Sequence, residues 1–256
     1  MTPDPCTPVS ADSYDRAYFL EHMDGAEEFV CTPGQTMAPR LRYALQIADL
    51  QPGQRVLDIG CGRGEVTWRC ASRRGVAHGL DFSWAALQIS RQLALRAKQQ
   101  GLQMELEQAS AYHLPFANDS FDTALMLDIA EHLFAEELLA TLIEIHRVLR
   151  PGGRLIVHTM PNADYYHWGY PVYRALMRLL GHKLPRDPRQ RWYRGETHVN
   201  VQTPRSLRRT LQAADFASVK VWLRPLSGRT LSRFLLSLYP MRWILCNDIL
   251  AVAVKS

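Results

Sequence analysis

Val56–Glu65 has the sequence VLDIGCGRGE, a short apolar run that leads into three glycines at alternating positions. Glycine has no Cβ and tolerates positive φ, so such a loop lets the backbone approach a ligand closely. A helix that begins after the loop directs its free N-terminal amides toward the same ligand. The glycines at 60, 62 and 64 follow the spacing GxGxG, whereas dinucleotide-binding loops favour GxGxxG, and Glu65 stands where the last glycine of that motif is expected. The spacing therefore disfavours NAD as the ligand.

Apolar runs and helical patterns alternate on both sides of this loop. Strands are predicted at 55–60, 75–81, 103–109, 121–128 and 154–160, and helices at 65–71, 83–101 and 136–150. This alternation is typical of parallel βαβ units. It lapses over 161–202 and resumes with a helix at 204–213 and strands at 219–223 and 249–254.

Composition indicates an ordinary folded domain. The chain has 256 residues, of which 47% are apolar and 21% charged, which excludes collagen, coiled-coil and wholly disordered chains. Because no 18-residue apolar run and no signal-peptide pattern occur, we expect a cytoplasmic protein. The five cysteines form no CxxC pair, so neither a disulfide framework nor a metal site is predicted.

Two segments of the C-terminal half stand out. Residues 174–209 carry ten Lys or Arg against two acids, a net +8 in a chain of +5, and residues 230–245 are largely apolar but interrupted by arginines. A solvated basic face explains the first segment, and so does contact with an anionic substrate, a phospholipid surface or nucleic acid. The second is too short to span a bilayer, and we expect it to lie at a membrane interface, to cover a cavity or to form a dimer face.

Five motifs occur in the order in which one enzyme family carries them. They are D-x-G-x-G-x-G at 58–64, GLDFS at 79–83, LPFANDSFD at 114–122, DIAEHL at 128–133 and VLRPGGRL at 148–155. With them the chain resembles the class I S-adenosylmethionine-dependent methyltransferases, in particular the small-molecule group called type 11. The resemblance implies an α/β fold, a Rossmann-like seven-stranded sheet with helices on both faces, an N-terminal helical lid and an insertion after strand 5.

The resemblance also implies a cofactor site. Asp58 and the Gly60 carbonyl would hold the methionine ammonium, Asp81 would accept hydrogen bonds from the ribose, and Phe82 would pack on adenine. Ser110 stands where many members have an adenine-binding Asp, so Ser110 and the Ala111 amide are expected there instead. The remaining expected cofactor contacts are Cys61, Gly62 and Gly64 in the loop and Asp128 and Ile129 after strand 4.

The acceptor side is less defined. An O-methyltransferase needs a base only if its acceptor must lose a proton. The candidates for this base are His132 and His198. The alternative for each is a histidine that only makes structural hydrogen bonds. Aromatic residues at 165–170 either line an acceptor pocket or pack the insertion, and Tyr14, Tyr18 and Phe19 are expected in the lid.

We therefore expect four segments and one activity. The segments are a tail with a lid helix (1–36), the cofactor-binding core (37–160), a cap or substrate-side insertion (161–202), and a last helix with two strands (203–256). The expected activity is methyl transfer to a small molecule, most readily at oxygen, without a nucleic-acid partner but with possible peripheral membrane contact through 174–209 and 230–245. The alternatives are an RNA or protein methyltransferase and a non-catalytic module that binds S-adenosylmethionine.

Overall fold

The computed structural model describes residues 13–191, 197–224 and 246–256, and its centre is a seven-stranded sheet in the order β3-β2-β1-β4-β5-β7-β6. The first five strands are parallel, and β7 runs antiparallel to both β5 and β6. The strands are β1 (Arg55–Ile59), β2 (Val76–Asp81), β3 (Gln103–Gln108), β4 (Phe121–Leu127), β5 (Leu149–Thr159), β6 (Ser218–Arg224) and β7 (Asp248–Val254). The predicted Rossmann-like sheet is confirmed.

Seven α-helices accompany the described strands. They are α1 (Ala26–Cys31), α2 (Pro39–Ala48), α3 (Glu65–Ser72), α4 (Trp84–Gln99), α5 (Ala135–Val148), α6 (Tyr170–Leu179) and α7 (Pro204–Ala213). Short π-helical turns lie at Tyr18–His22 and Tyr165–Gly169, and 3₁₀ turns at Ala130–His132 and Pro188–Arg191. No helix in this part of the chain is long and apolar enough to cross a membrane.

Helices cover both faces of the sheet because successive strand residues point to opposite sides. In β4, Ala124 and Met126 belong to a core shared with α5 and α7, whereas Leu125 and Leu127 belong to a second core shared with α2, α3 and α4. The central strands are therefore buried on both sides. Because the strands are packed on both sides, the positions of their carboxyl ends are fixed. The loops that follow these ends start from fixed points.

Side chains next to the first turn cap two of the helices. Ser83 Oγ accepts a hydrogen bond from the Ala86 amide at the start of α4. Thr203 Oγ1 accepts one from the Ser206 amide at the start of α7, and Pro204 occupies the first helical position. Side-chain acceptors satisfy amides that have no partner within the first helical turn.

Two features differ from the predicted elements. The helix predicted for 136–150 ends at Val148, because Leu149 pairs with Phe121 of β4 and Pro151 disfavours helical backbone before it. The strand predicted for 154–160 therefore begins at Leu149. The segment 161–202 contains α6, for which no helix was predicted, and the predicted interfacial segment 230–245 lies outside the described residues.

Candidate active site

A cavity of about 640 Å³ opens at the carboxyl ends of β1, β2 and β4. β1 and β4 are neighbours in the sheet, and the chain winds away from them in opposite directions, which is where open α/β sheets bind ligands. Ten of the thirteen predicted site residues line this cavity, namely Gly60, Gly62, Asp81, Phe82, Ser110, Ala111, Asp128, Ile129, His132 and His198.

Asp58, Cys61 and Gly64 are not among the lining residues. Asp58 is buried behind the loop, where it accepts a hydrogen bond from Thr67 Oγ1 at 2.6 Å, and burial raises its pKa to about 7. Gly64 precedes α3, and a Cβ there would lie 2.7 Å from Ser90 Cβ of α4. These residues shape the loop from behind, and their direct contact with a cofactor stays a prediction.

The glycine loop is pinned to the end of β2. The amides of Gly60 and Cys61 both donate to the Leu80 carbonyl, at 2.7 and 2.9 Å. Gly60 has a φ of +69°, and a Cβ there would stand 2.1 Å from Ile129 Cδ1. A Cβ at this position would require Ile129 to move, so the glycine lets the loop and the segment after β4 meet at the cavity wall.

Asp81 ends β2 as a buried carboxylate on the cavity wall. Oδ2 accepts from the Gly62 amide at 2.9 Å and Oδ1 from the Ser83 amide at 2.8 Å, while burial raises its pKa to about 6. Each oxygen keeps a second lone pair, so the carboxylate can also accept hydrogen bonds from a diol. A ligand that binds this carboxylate shares it with the Gly62 amide of the glycine loop.

The N-terminal segment closes one side of the cavity, as predicted for Tyr14, Tyr18 and Phe19. Ser83 Oγ donates to the Tyr14 carbonyl at 2.7 Å, and the Phe82 ring lies edge-to-face with that of Tyr14 at 5.4 Å. Phe82 remains 40% exposed, so its ring can accept a planar partner.

Arg63 of the glycine loop anchors the same lid. Its buried guanidinium donates to the carbonyls of Phe19 at 3.3 Å and Asp24 at 2.9 Å. Glu65 neutralises the guanidinium with an Nε–Oε2 distance of 2.7 Å. The loop that predicts the ligand site therefore also holds the segment that covers it.

A charged network that was not predicted lies under Asp128. Arg40 Nε, at the start of α2, donates to Asp128 Oδ2 at 2.8 Å, and His158 Nδ1 of β5 makes a very short hydrogen bond to Oδ1. Burial alone would raise the pKa of Asp128, but the Arg40 guanidinium and His158 hold it far below its usual range. Burial alone would lower the pKa of His158, but Asp128 raises it to about 9. Asp128 is thus an ionised carboxylate with two cationic partners.

Glu131 is a second acid that was not assigned a role, although it lies within the quoted DIAEHL motif. Its buried carboxylate accepts from Thr159 Oγ1 at 2.7 Å. Burial and the nearby charge of Asp128 together raise the pKa of Glu131 to about 7. Its position after the fully buried strand β4 is the signal that could have identified it.

The two predicted histidines meet in the cavity. The rings of His132 and His198 are 4.8 Å apart, and His132 Nδ1 lies 3.0 Å from the Tyr14 hydroxyl and 3.2 Å from the Thr197 carbonyl. Burial lowers the pKa of His132 to about 3, and the neighbouring His198 lowers it too, so the imidazole is neutral at physiological pH. Across the described residues, no group of three His, Cys, Asp or Glu is placed to hold a metal ion.

Comparison with known proteins identifies the family. The profile of the family described as "Methyltransferase domain" matches residues 56–153, which contain the glycine loop, Asp81 and the segment after β4. Residues 56–153 therefore form a methyltransferase domain of the class I S-adenosylmethionine-dependent type. The cavity fits that cofactor, because Gly60 and Gly62 present backbone without side chains at its wall and Asp81 presents a buried acceptor.

Individual relatives match different parts of this chain. The methyltransferase GfsG of Streptomyces halstedii is 33% identical over 48% of this chain and 43% of its own length. A ubiquinone/menaquinone biosynthesis C-methyltransferase of Pseudomonas savastanoi is 29% identical over 65% of this chain and 67% of its own. The chain spans less than half the length of the first curated relatives it matches, 42% to 43%.

A solved structure supports the fold. Phosphoethanolamine N-methyltransferase 2 of Haemonchus contortus, in complex with S-adenosyl-L-methionine, has a TM-score of 0.65 at 16% identity and covers 96% of this chain and 60% of its own. At this identity the likeness concerns the fold alone. It shows that nearly the whole described chain follows the methyltransferase architecture.

Proposed function

We propose that this methyltransferase transfers a methyl group to an ionisable oxygen of a small molecule and that His132 accepts the proton of that hydroxyl. The observation that carries the proposal is a neutral, half-buried imidazole on the wall of the cavity that holds the predicted cofactor residues. When bound, S-adenosylmethionine supplies a methyl group that is already activated by a positively charged sulfur. The chain therefore has to orient the acceptor, exclude water and take one proton.

The cavity favours a small acceptor over a polymer. Its volume of about 640 Å³ is typical of small-molecule sites. None of the described Lys or Arg of the basic segment 174–209 lines it, and Arg40, which does, is paired with Asp24 and Asp128. The described part of the cavity lining thus offers no unneutralised basic side chain of the kind that binds phosphate backbones.

The surroundings of His132 favour one tautomer for a base. In the tautomer proposed here, Nδ1 carries the proton and faces two oxygens that can accept it, the Thr197 carbonyl at 3.2 Å and the Tyr14 hydroxyl at 3.0 Å. A Tyr14 hydroxyl that donates to Nδ1 would instead fix the opposite tautomer. The proposed tautomer leaves Nε2 as the basic nitrogen. Because the pKa of His132 is low, the proton moves to Nε2 together with methyl transfer rather than before it.

Kinetics of His132→Gln test this role. The variant should lose ~10²- to 10⁴-fold in kcat, the usual contribution of a positioned base, while its affinity for S-adenosylhomocysteine stays unchanged. Its remaining rate should rise with pH through the pKa of the acceptor, since an ionised acceptor needs no base. His146→Gln is the matched control, because His146 lies on α5 against Phe216 and outside the cavity. A wild-type kcat in His132→Gln would eliminate the base.

Methylation at carbon is the second candidate, favoured by the similarity to the Pseudomonas C-methyltransferase. Phenols and enols with a free position beside the hydroxyl offer both atoms to the same donor. NMR of the product from ¹³C-methyl-labelled cofactor separates the two cases, since a methyl on oxygen resonates far from a methyl on carbon. A carbon-bound methyl would replace the proposed O-methylation.

A further inference from the structure

Helix α6 and the turn before it carry an apolar stripe that faces away from the protein. Trp168, Val172, Leu176, Leu179 and Leu180 form this stripe, here called the α6 stripe, with exposures of 68%, 60%, 54%, 84% and 65%. The spacing of three and four residues places them along one side of the helix. These five are half of the large hydrophobic residues found exposed in the described chain, and they are contiguous.

The opposite side of α6 is attached to the protein. Tyr170 is fully buried, and its hydroxyl donates to the Pro185 carbonyl at 2.9 Å. The Tyr170 and Tyr173 rings lie 6.4 Å apart on this inner side. Tyr170 thus marks the inner side of α6, and the α6 stripe lies on the other side of the helix.

The charge around the stripe has one sign. From residue 165 to residue 186 the chain contains no Asp or Glu but four basic residues, Arg174, Arg178, Lys183 and Arg186. Arg178, Lys183 and Arg186 are exposed. The basic stretch ends where Arg189 pairs with Asp187 at 2.8 Å.

We propose that the α6 stripe and its basic flank dock this protein on an anionic lipid bilayer. Apolar side chains buried at the headgroup boundary, lysines and arginines at the phosphates and a tryptophan at the end are the features of an interfacial helix. A contiguous apolar surface of this kind is unfavourable in water and marks an interaction site. The basic flank selects the anionic membrane as the occupant, because it attracts negatively charged headgroups.

The structure also narrows the membrane contact predicted over 174–209. In α7, Leu207 and Leu211 are fully buried in the core, so the apolar residues of that helix are already in use. Among the described residues, we therefore place the docking surface at 168–186. It does not depend on the identity of the acceptor or on the role of His132.

Vesicle flotation of the full chain tests the proposal. Vesicles of phosphatidylcholine with 40% phosphatidylglycerol should bind the protein at least tenfold more strongly than phosphatidylcholine alone, and 0.5 M NaCl should reduce the binding at least tenfold. Leu176→Ser/Leu179→Ser should lose tenfold or more. Leu95→Ser/Ile143→Ser, which removes two exposed aliphatic side chains from α4 and α5, should bind like the wild type. Thermal unfolding of both double variants establishes that they are folded.

A second readout uses the unaltered fold. Brominated lipids should quench wild-type tryptophan fluorescence more than that of Trp168→Phe, because Trp168 enters the bilayer. Absence of wild-type binding to the anionic vesicles, or equal quenching in both proteins, would overturn the proposal. So would a wild-type dimer in sedimentation velocity that the Leu176→Ser/Leu179→Ser variant lacks, since a second copy would then occupy the stripe.

Discussion

At the scale of single residues, Gly60 shows how the glycine loop restricts its own sequence. It combines a φ of +69° with a Cβ direction that points at Ile129 Cδ1 at 2.1 Å. Gly101 has the same φ of +69° and open space within 4 Å. The two positions therefore separate the cost of backbone strain from the cost of the steric clash.

Gly60→Ala should destabilise the protein more than Gly101→Ala. Both variants incur the cost of a positive φ, about 1 kcal/mol, and Gly60→Ala adds overpacking of about 1–3 kcal/mol. Gly60→Ala should also weaken cofactor binding at least tenfold, because relieving the clash displaces the cavity wall. Urea denaturation and calorimetry measure the two effects. Equal losses of stability in both variants would contradict the steric account.

The residues that could be predicted from the sequence are those that belong to a short motif. Glycine spacing identified Gly60 and Gly62, and Asp81 lies about 20 residues further along in a recognisable strand end. Arg40 and His158 gave no such signal, because their contacts with Asp128 span 88 and 30 residues of sequence. Residue patterns do not report ion pairs that form only when distant elements pack together.

At the scale of secondary-structure elements, the Asp128 network joins four of them. Asp128 follows β4, His158 belongs to β5 and Arg40 to α2, and His158 Nε2 lies 3.8 Å from Asp248 Oδ2 of β7. The folded pKa of His158, about 9, exceeds its value of about 6.5 in an unfolded chain. The stabilisation from this shift is fully present below pH 6.5 and is lost as pH rises through 9.

His158→Gln should therefore cost more stability at pH 6 than at pH 9.5. The shift corresponds to a difference on the order of 3 kcal/mol between the two conditions. Urea denaturation at both pH values measures it. The exposed His113→Gln is the control and should show no such change. A cost for His158→Gln that is the same at both pH values would show that the Asp128 contact does not stabilise the charged imidazole.

Helix ends that are marked by neighbouring residues could be predicted from the sequence. Helix ends that depend on contacts with distant residues could not. The Ser83 and Thr203 caps follow from side-chain chemistry next to the helix they start. The end of α5 at Val148 depends on pairing between Leu149 and Phe121, which the helical pattern up to residue 150 conceals. Helix α6 was missed because its apolar residues face outward, whereas a helix is usually recognised by the face it buries.

At the scale of the whole molecule, the strand order brings motifs that are far apart in the sequence together in one site. The loop after β1, the end of β2 and the segment after β4 meet only because β2, β1 and β4 are adjacent in the sheet. The lid adds Tyr14 and Phe19 from the start of the described chain. The resemblance to a family supplied this arrangement at the level of sequence, whereas the glycine spacing alone predicted only a ligand loop.

Calorimetric titration with S-adenosylmethionine and S-adenosylhomocysteine tests the central claim most directly. The wild type should bind both with micromolar affinity and should not bind NADH. Asp81→Ala should weaken binding tenfold or more, about 1.4 kcal/mol, whereas Asp215→Asn in the exposed turn after α7 should not. A wild-type protein that binds neither ligand, or an Asp81→Ala variant with unchanged affinity, would contradict the cofactor site described for this cavity.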